Sequence, residues 1–285
     1  MRDLFAVTVA ELGKMRRRPG AWVLLGAALL LSLTFGYLIP YLSYASDSGG
    51  GGFTAGTTPE ELLAGTLPGQ VVTNAISALP IFSGALVLVL GALVTGGEYA
   101  AGTLKTLLTQ GPRRGTVFGG QVLACVLAAA VGVVALFIGC AAAATMIALV
   151  EDRALDWPAV PDLLLGVATG WTVAAMWATL GAALGVLLRS VALPIGLGVV
   201  WILGVENLLD AVASTTLTAL EPVRDLLPGV NSGSLILSVL PPGPGELPPG
   251  VADTVSGTHG LVVVLAYAGV AAAALLVTGR RRDVA

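Results

Sequence analysis

Six long apolar runs, none with a charged residue, dominate the pattern of the chain. They cover about 21–44, 71–96, 117–150, 163–188, 191–205 and 261–278. A helix needs roughly 20 residues to cross about 30 Å of hydrocarbon, and five of these runs reach or nearly reach that length. The fifth is short unless it continues past Glu206 or ends within the bilayer. The pattern predicts an all-α polytopic membrane protein, one domain over residues 1–285 with six transmembrane helices.

The first 18 residues have a separate, amphipathic pattern. Phe5, Val9 and Leu12 recur at helical spacing on one face, whereas Asp3 and Lys14 lie on the opposite face. This predicts a helix over 1–18 on the cytoplasmic side of the membrane. It could lie in the headgroup region as an elbow before the first span, or it could be a frayed amphipathic tail.

The region 206–258 is a predicted extracellular loop. Its first part, up to Leu227, has helical spacing, and a proline-rich stretch follows at 241–249. Short extracellular or re-entrant helices and a plain surface loop both fit this pattern. We expect Glu206 and Asp210 to cap a solvated helix end, so the interior of each span is expected to be uncharged. An ion-coupled carrier usually keeps ionisable groups there and is therefore disfavoured.

Small residues recur one helical turn apart in the predicted spans. The glycines concerned are Gly84, Gly91, Gly166, Gly170, Gly181 and Gly185. Such spacing lets helices approach closely. It indicates tight packing within one bundle or a contact between two copies of the chain.

Composition and charge support a membrane protein and set its orientation. Apolar residues make up 56% and charged residues 11% of the chain, and its mean hydropathy is +0.91. With a cytoplasmic N-terminus, all of the 14 Lys and Arg residues except Arg153 and Arg224 fall on the cytoplasmic side. Basic residues collect on that side of membrane proteins. We therefore predict the inner (plasma) membrane, both termini in the cytoplasm, and no nucleic-acid partner.

The sequence offers little chemistry of its own. It has one histidine, His259, and no cluster that predicts a metal site. Cys125 and Cys140 would lie about 22 Å apart on one helix, too far for a disulfide, and are interpreted as packing residues. Gly97 and Gly102 have P-loop spacing, but Lys105 follows the second glycine two residues too late to bind phosphate.

The segment 97–116 between the second and third runs carries the most informative pattern. Gly96 and Gly97 are expected to break the span and to leave Glu98 near a helix start, where a negative charge is favourable. Residues 103–108 predict a short amphipathic helix that Gly111 and Pro112 end. Lipid headgroups or the groove of a partner protein could cover its apolar face.

This segment resembles the glutamate-led cytoplasmic loop of ABC-2 type transporter permeases. The matching pattern is close to E-Y-x-x-G-T-[LI]-[RK]-T-x-L-T-x-x-P-R-R. The residues that the resemblance assigns to coupling with an ATPase are Glu98, Tyr99, Gly102, Thr103, Leu104, Lys105, Leu107, Leu108, Pro112 and Arg113. A basic residue that often follows in such permeases is absent, and Gln121 lies near its place.

The resemblance implies the membrane-spanning subunit of an ATP-binding cassette exporter. The chain would not be an enzyme and would bind no cofactor, because ATP and Mg would be bound by a separate ATPase subunit. A second permease, identical or similar, would complete the transporter within the lipid membrane. The alternatives are a membrane assembly or sensor protein that recruits a cytoplasmic partner and, less favoured, an ion-coupled secondary carrier.

Overall fold

A computed structural model describes residues 2–46, 56–100, 102, 113–215, 217–241 and 247–281. Every regular element in these ranges is helical. The long helices are α1 (Arg2–Arg17), α2 (Pro19–Ala45), α5 (Phe82–Ala100), α6 (Arg114–Val150), α7 (Val160–Leu188), α8 (Ala192–Thr215) and α11 (Gly257–Arg281). The short ones are α3 (Pro59–Gly65), α4 (Val71–Ile76), α9 (Glu221–Arg224) and α10 (Pro228–Leu237). The helices α2, α5, α6, α7, α8 and α11 are long and apolar enough to cross a membrane, which confirms the all-α class and the six predicted spans.

The second span begins later and ends later than predicted. The run 71–96 was expected to be continuous, but α4 ends at Ile76 and α5 begins only at Phe82. Pro80 lies in the turn between them, where proline lacks the amide hydrogen that a helix needs and clashes with the preceding turn. The Ser83 amide then donates to the carbonyl of Ala78 across the turn (2.8 Å). An apolar run can therefore contain a helix break that hydropathy does not reveal.

The fifth span is longer than predicted. Helix α8 continues through a π-helical turn at Trp201–Glu206 and ends at Thr215, so the start of the predicted 206–258 loop belongs to the span. Helices α9 and α10 occupy part of the remaining loop.

Glu206 does not cap a solvated helix end, because its side chain is buried. Only 4% of the residue is exposed. Its carboxylate accepts hydrogen bonds from Trp201 Nε1 (2.6 Å) and from the amide of Gly229 in the first turn of α10 (2.8 Å). The expectations of a solvated Glu206 and of uncharged span interiors are therefore wrong, since the loop after α8 folds back over this carboxylate.

Helices α5 and α7 form the centre of the bundle. They are the most buried of the six spans, whereas α2 and α8 face largely outward. A Cβ atom at Gly181 would overlap the carbonyl oxygen of Leu88, and one at Gly91 would overlap that of Ala178. The two backbones therefore touch, and the Thr95 hydroxyl adds a hydrogen bond to the Ala182 carbonyl (2.8 Å).

The glycines singled out in the sequence all lie inside the protomer. Gly84, Gly91, Gly166, Gly170, Gly181 and Gly185 are buried. Their close neighbours belong to the same chain, such as Trp177 beside Gly84 and Ile76 beside Gly170. Their role is tight packing within one bundle. Cys125 and Cys140 are likewise buried and free, in agreement with their interpretation as packing residues.

Candidate functional site

Glu98 lies in the last turn of α5 rather than near a helix start. The predicted break at Gly96 and Gly97 does not occur, and the helix continues to Ala100. A Cβ at Gly96 would overlap the backbone oxygen of Ser190, so glycine here allows a close approach to the segment after α7. These glycines therefore serve packing. Gly102, two residues after the end of α5, has a positive φ (+64°), and its amide donates to the Tyr99 carbonyl (3.2 Å).

Glu98 is the centre of an ion-pair cluster that joins α1 to α5. Its Oε1 atom lies 3.1 Å from Lys14 Nζ and 3.2 Å from Arg18 Nη2. Lys14 Nζ also contacts Glu11 Oε1 at 2.8 Å, and Arg18 Nη1 donates to the Leu93 carbonyl (3.2 Å). We call these four side chains, Glu11, Lys14, Arg18 and Glu98, the Glu98 cluster. It connects residues more than 80 positions apart in the chain.

The position of Glu98 makes its cationic partners necessary. Only 3% of Glu98 is exposed, and a negative charge at the C-terminal end of a helix opposes the helix dipole. A buried charge is tolerated when it is paired and hydrogen-bonded. Lys14 and Arg18 supply these pairs, and Arg18 additionally satisfies a carbonyl in the last turns of α5.

Burial and pairing act in opposite directions on the ionisable groups of α1. Burial raises the pKa of Glu11, and the hydrogen bond from Lys14 offsets only part of this effect. Burial also disfavours the charged form of Lys14, but the hydrogen bonds and charges of Glu11 and Glu98 outweigh it and raise the Lys14 pKa. Lys14 is thus held as the cation between two buried carboxylates.

The face of α1 that packs on the bundle differs from the apolar face seen in the sequence. Thr8, Glu11 and Met15 are buried, whereas Phe5 and Val9 are 72% and 50% exposed. The mixed polar face packs chiefly against α6. The exposed apolar face is left for another environment, which is what an interfacial helix requires.

Sequence reasoning singled out Glu98 but missed the other three members of the Glu98 cluster. The sequence pattern places Lys14 opposite the apolar face and gives Arg18 no role beyond that of a basic residue on the cytoplasmic side. A signal was present, because Glu11, Lys14 and Arg18 follow one another at i, i+3 and i+7 and therefore share one side of a continuing helix. A mixed-sign stripe beside an apolar stripe indicates a second packing surface.

The structure describes only some of the other predicted coupling residues. Tyr99 is half-buried against an apolar cluster that includes Met15 and Phe118. Arg113 is exposed and directly precedes α6. The remaining coupling residues, Thr103, Leu104, Lys105, Leu107, Leu108 and Pro112, lie outside the described residues.

The chemistry of the Glu98 cluster is electrostatic attachment. It contains two carboxylates, one ammonium and one guanidinium. Within the described part of the chain, no group of three or more His, Cys, Asp or Glu residues could hold a metal ion. The cluster can therefore fix α1 to the end of α5 at the residue that begins the sequence pattern.

Comparison with known proteins identifies the family. The family described as ABC-2 family transporter protein matches residues 8–205. No curated protein sequence matches the chain. The family match spans four whole spans and most of the fifth, together with all four members of the Glu98 cluster. Because it covers well over half of a six-span membrane protein, the chain belongs to the ABC-2 type transporter permease family.

Proposed function

We propose that the chain is the membrane-spanning subunit of an ATP-driven exporter. A separate ATPase subunit binds ATP and Mg and supplies the energy, and a second permease, identical or similar, completes the transporter. Both termini and the 97–116 segment face the cytoplasm of a cell whose inner (plasma) membrane holds the protein. Family membership implies the ABC ATPase partner and the membrane. The chain itself then performs no hydrolysis.

The observation that carries this proposal is the Glu98 cluster at the base of the coupling motif. Lys14 and Arg18 tie α1 to the last turn of α5. The predicted coupling helix at 103–108 follows within a few residues. A displacement imposed on that helix by an ATPase would act on α1 and α5 together. The bundle would then be biased between two states, as a differential interaction with a partner requires.

Co-purification with the ATPase tests the proposal at the predicted docking helix. The ATPase encoded beside this chain should bind the purified permease, and alanine at Leu104, Leu107 and Leu108 should reduce the bound ATPase at least tenfold. Alanine at Leu164 and Leu165, which are exposed at the start of α7, is the matched control. If the variant with three alanines retained as much ATPase as the control with two, docking at 103–108 would be contradicted. Failure of the unaltered chain to bind any ATPase would contradict the function.

The role of Glu98 is tested separately, because its side chain is buried. Glu98→Gln keeps the shape but removes the charge that Lys14 and Arg18 share. We expect ATP hydrolysis by the assembled transporter to lose its response to substrate while ATPase binding is reduced less than threefold. Asp3→Asn, which removes the charge of an exposed acid on α1, is the control. An unchanged response in Glu98→Gln would refute a positioning role.

Orientation is tested by labelling cysteines from one side of the membrane. The native Cys125 and Cys140 are fully buried, so they give little background. An impermeant maleimide added outside intact cells should label Ser48→Cys and should label Arg114→Cys only after the membrane is opened. The reverse pattern would overturn the topology and would place the coupling motif beyond reach of an ATPase.

An ion-coupled carrier is the second candidate, favoured by one observation. Glu206 lies buried in the fifth span, and buried carboxylates in membrane helices commonly serve ion or proton pathways. This candidate requires proton-driven transport by the chain purified alone, lost in Glu206→Gln. Transport that needs both ATP and the ATPase would exclude it. A sensor or assembly protein would bind the partner and transport nothing.

A further inference from the structure

A half-open cavity of about 300 Å³ lies between α2, α5 and α6, and residues of α1 line one end of it. Its walls are apolar side chains such as Leu25, Leu90 and Val131. The volume is about twice that of a cavity that takes up benzene and reaches the lower limit of small-molecule sites. The cavity is therefore large enough for a ligand and lies within one protomer.

The cavity is elongated along the spans. On α5 it extends from Ser83 to Leu90, and on α6 from Ala128 to Leu136. At 1.5 Å per residue these stretches correspond to about 10 Å and about 12 Å. The volume spread over that length gives a mean cross-section of about 27 Å². This elongated shape fits one extended alkyl chain.

Polar side chains lie only at the two ends of this apolar cavity. Arg16 is at the α1 end, where Trp22 Nε1 donates to the Arg16 carbonyl (2.8 Å). Ser83 is at the other end, in the first turn of α5. Only 1% of Ser83 is exposed, and its hydroxyl has no hydrogen-bond partner within the described residues. An unpaired buried hydroxyl costs free energy that a ligand group can recover.

We propose that this cavity binds a single-chain anionic amphiphile. Its acidic head pairs with Arg16, its alkyl body fills the cavity, and a hydroxyl or carbonyl about 10 Å from the head bonds to Ser83. The inference rests on the proposed function in one respect, since it names the class of molecule that the exporter carries. The binding itself depends only on the residues that line the cavity.

Helix α1 links this cavity to the Glu98 cluster. Leu12, Met15 and Arg16 line the cavity, whereas Glu11 and Lys14 on the same turns belong to the cluster. A movement of α1 relative to α5 changes both at once. Occupancy of the cavity and the position of the coupling segment are therefore coupled through α1.

Photolabelling in nanodiscs of phosphatidylcholine tests the site on the full chain. The probe is a ten-carbon fatty acid with a diazirine in its chain. We expect saturable labelling within Leu79–Leu90 and Ala128–Leu136, mapped by mass spectrometry. Unlabelled 10-hydroxydecanoate should displace the probe at a concentration at least threefold lower than decanoate. Labelling that does not saturate, or that a photoreactive phosphatidylglycerol gives more strongly, would overturn the proposal.

A matched pair of glycine variants separates the cavity from the lipid surface. Gly132 lines the cavity, and Gly269 faces outward on α11; a Cβ at either position meets no atom within 4 Å. Gly132→Leu should reduce labelling at least fivefold by filling the cavity, whereas Gly269→Leu should leave it unchanged. Equal labelling of both variants would refute binding in the cavity. An unchanged melting temperature of Gly132→Leu shows that the loss does not come from unfolding.

Two further variants test the chemistry at each end. Arg16→Gln should raise the decanoate concentration needed for displacement at least fivefold and should not change that of decanol. Ser83→Ala should abolish the preference for 10-hydroxydecanoate over decanoate. If neither preference exists in the unaltered protein, the assigned ligand class is wrong. Retention of the ATPase by Gly132→Leu separates failure of this proposal from failure of the proposed function.

Discussion

Replacing Lys14 with methionine should release α1 from the bundle. The substitution leaves Glu11 without its cation, while Arg18 continues to pair with Glu98. Removal of one partner from a buried ion pair costs about 3–5 kcal/mol. We expect about 3 kcal/mol, near the lower limit, because Lys14 itself is about one-third exposed and Glu11 can take up a proton. At 1.4 kcal/mol per factor of ten, the open population of α1 should rise about 100-fold.

Hydrogen exchange measured by mass spectrometry in nanodiscs reads this opening directly. Amides of α1 that exchange through local opening should become about 100-fold faster in Lys14→Met, whereas amides of α7 should not change. Arg17→Met removes an exposed positive charge from the same helix and is the control. A similar effect of the two variants would refute the idea that the Glu98 cluster attaches α1.

The same experiment has a second arm that depends on pH. Without Lys14, burial raises the pKa of Glu11 in the attached state above its value in the released state. The attached state then binds more protons, so it gains stability as the pH falls through the raised pKa. The excess exchange of Lys14→Met should therefore shrink as the pH falls from neutral towards the ordinary glutamate pKa of 4.5. It should also be largely abolished at neutral pH in the double variant Lys14→Met/Glu11→Gln, which lacks the unpaired carboxylate.

Two further predictions concern the packing of the spans. Gly181→Ala places a methyl group against the backbone of α5 and should cost about 1–3 kcal/mol of stability by overpacking. This cost should appear as a lower melting temperature in nanodiscs. Gly196→Ala, where the added Cβ meets no atom within 4 Å, should not lower the melting temperature. Glu206→Ala leaves the Gly229 amide unpaired at a cost of about 1–3 kcal/mol, so α10 should exchange at least fivefold faster. Asp210→Ala removes a nearby carboxylate that makes no hydrogen bond within the described residues, and equal exchange in both variants would contradict the role of Glu206.

Hydropathy alone predicted the number of spans because the bilayer imposes one length on each of them. It did not predict where α5 starts, since Pro80 breaks the helix without making the run any less apolar. Nor did it predict that α8 passes Glu206, because a carboxylate usually marks the end of an apolar run. That carboxylate is stabilised by the Gly229 amide more than 20 residues later. A long-range contact of this kind leaves no local signal.

The candidate site was predicted in part for a similar reason. Glu98 stands out in a local motif that one segment of the chain contains completely. Its partners Lys14 and Arg18 lie 84 and 80 residues away, so their pairing depends on how α1 packs beside α5. The glycines before Glu98 also have two meanings in a sequence. Gly96 and Gly97 would favour a helix break in water, whereas here Gly96 lets the Ser190 backbone approach an unbroken helix.

The backbone contacts between α5 and α7 make these two helices a rigid pair. Gly91 and Gly181 leave no layer of side chains that could deform between the two helices. The 19 residues of α5 span about 28 Å, from the buried Ser83 end to the Glu98 end. A push at one end therefore arrives at the other as a displacement of similar size. The outer spans α2 and α8 are much less buried, and each contains a widened π-helical turn, so we expect the bundle to deform there instead.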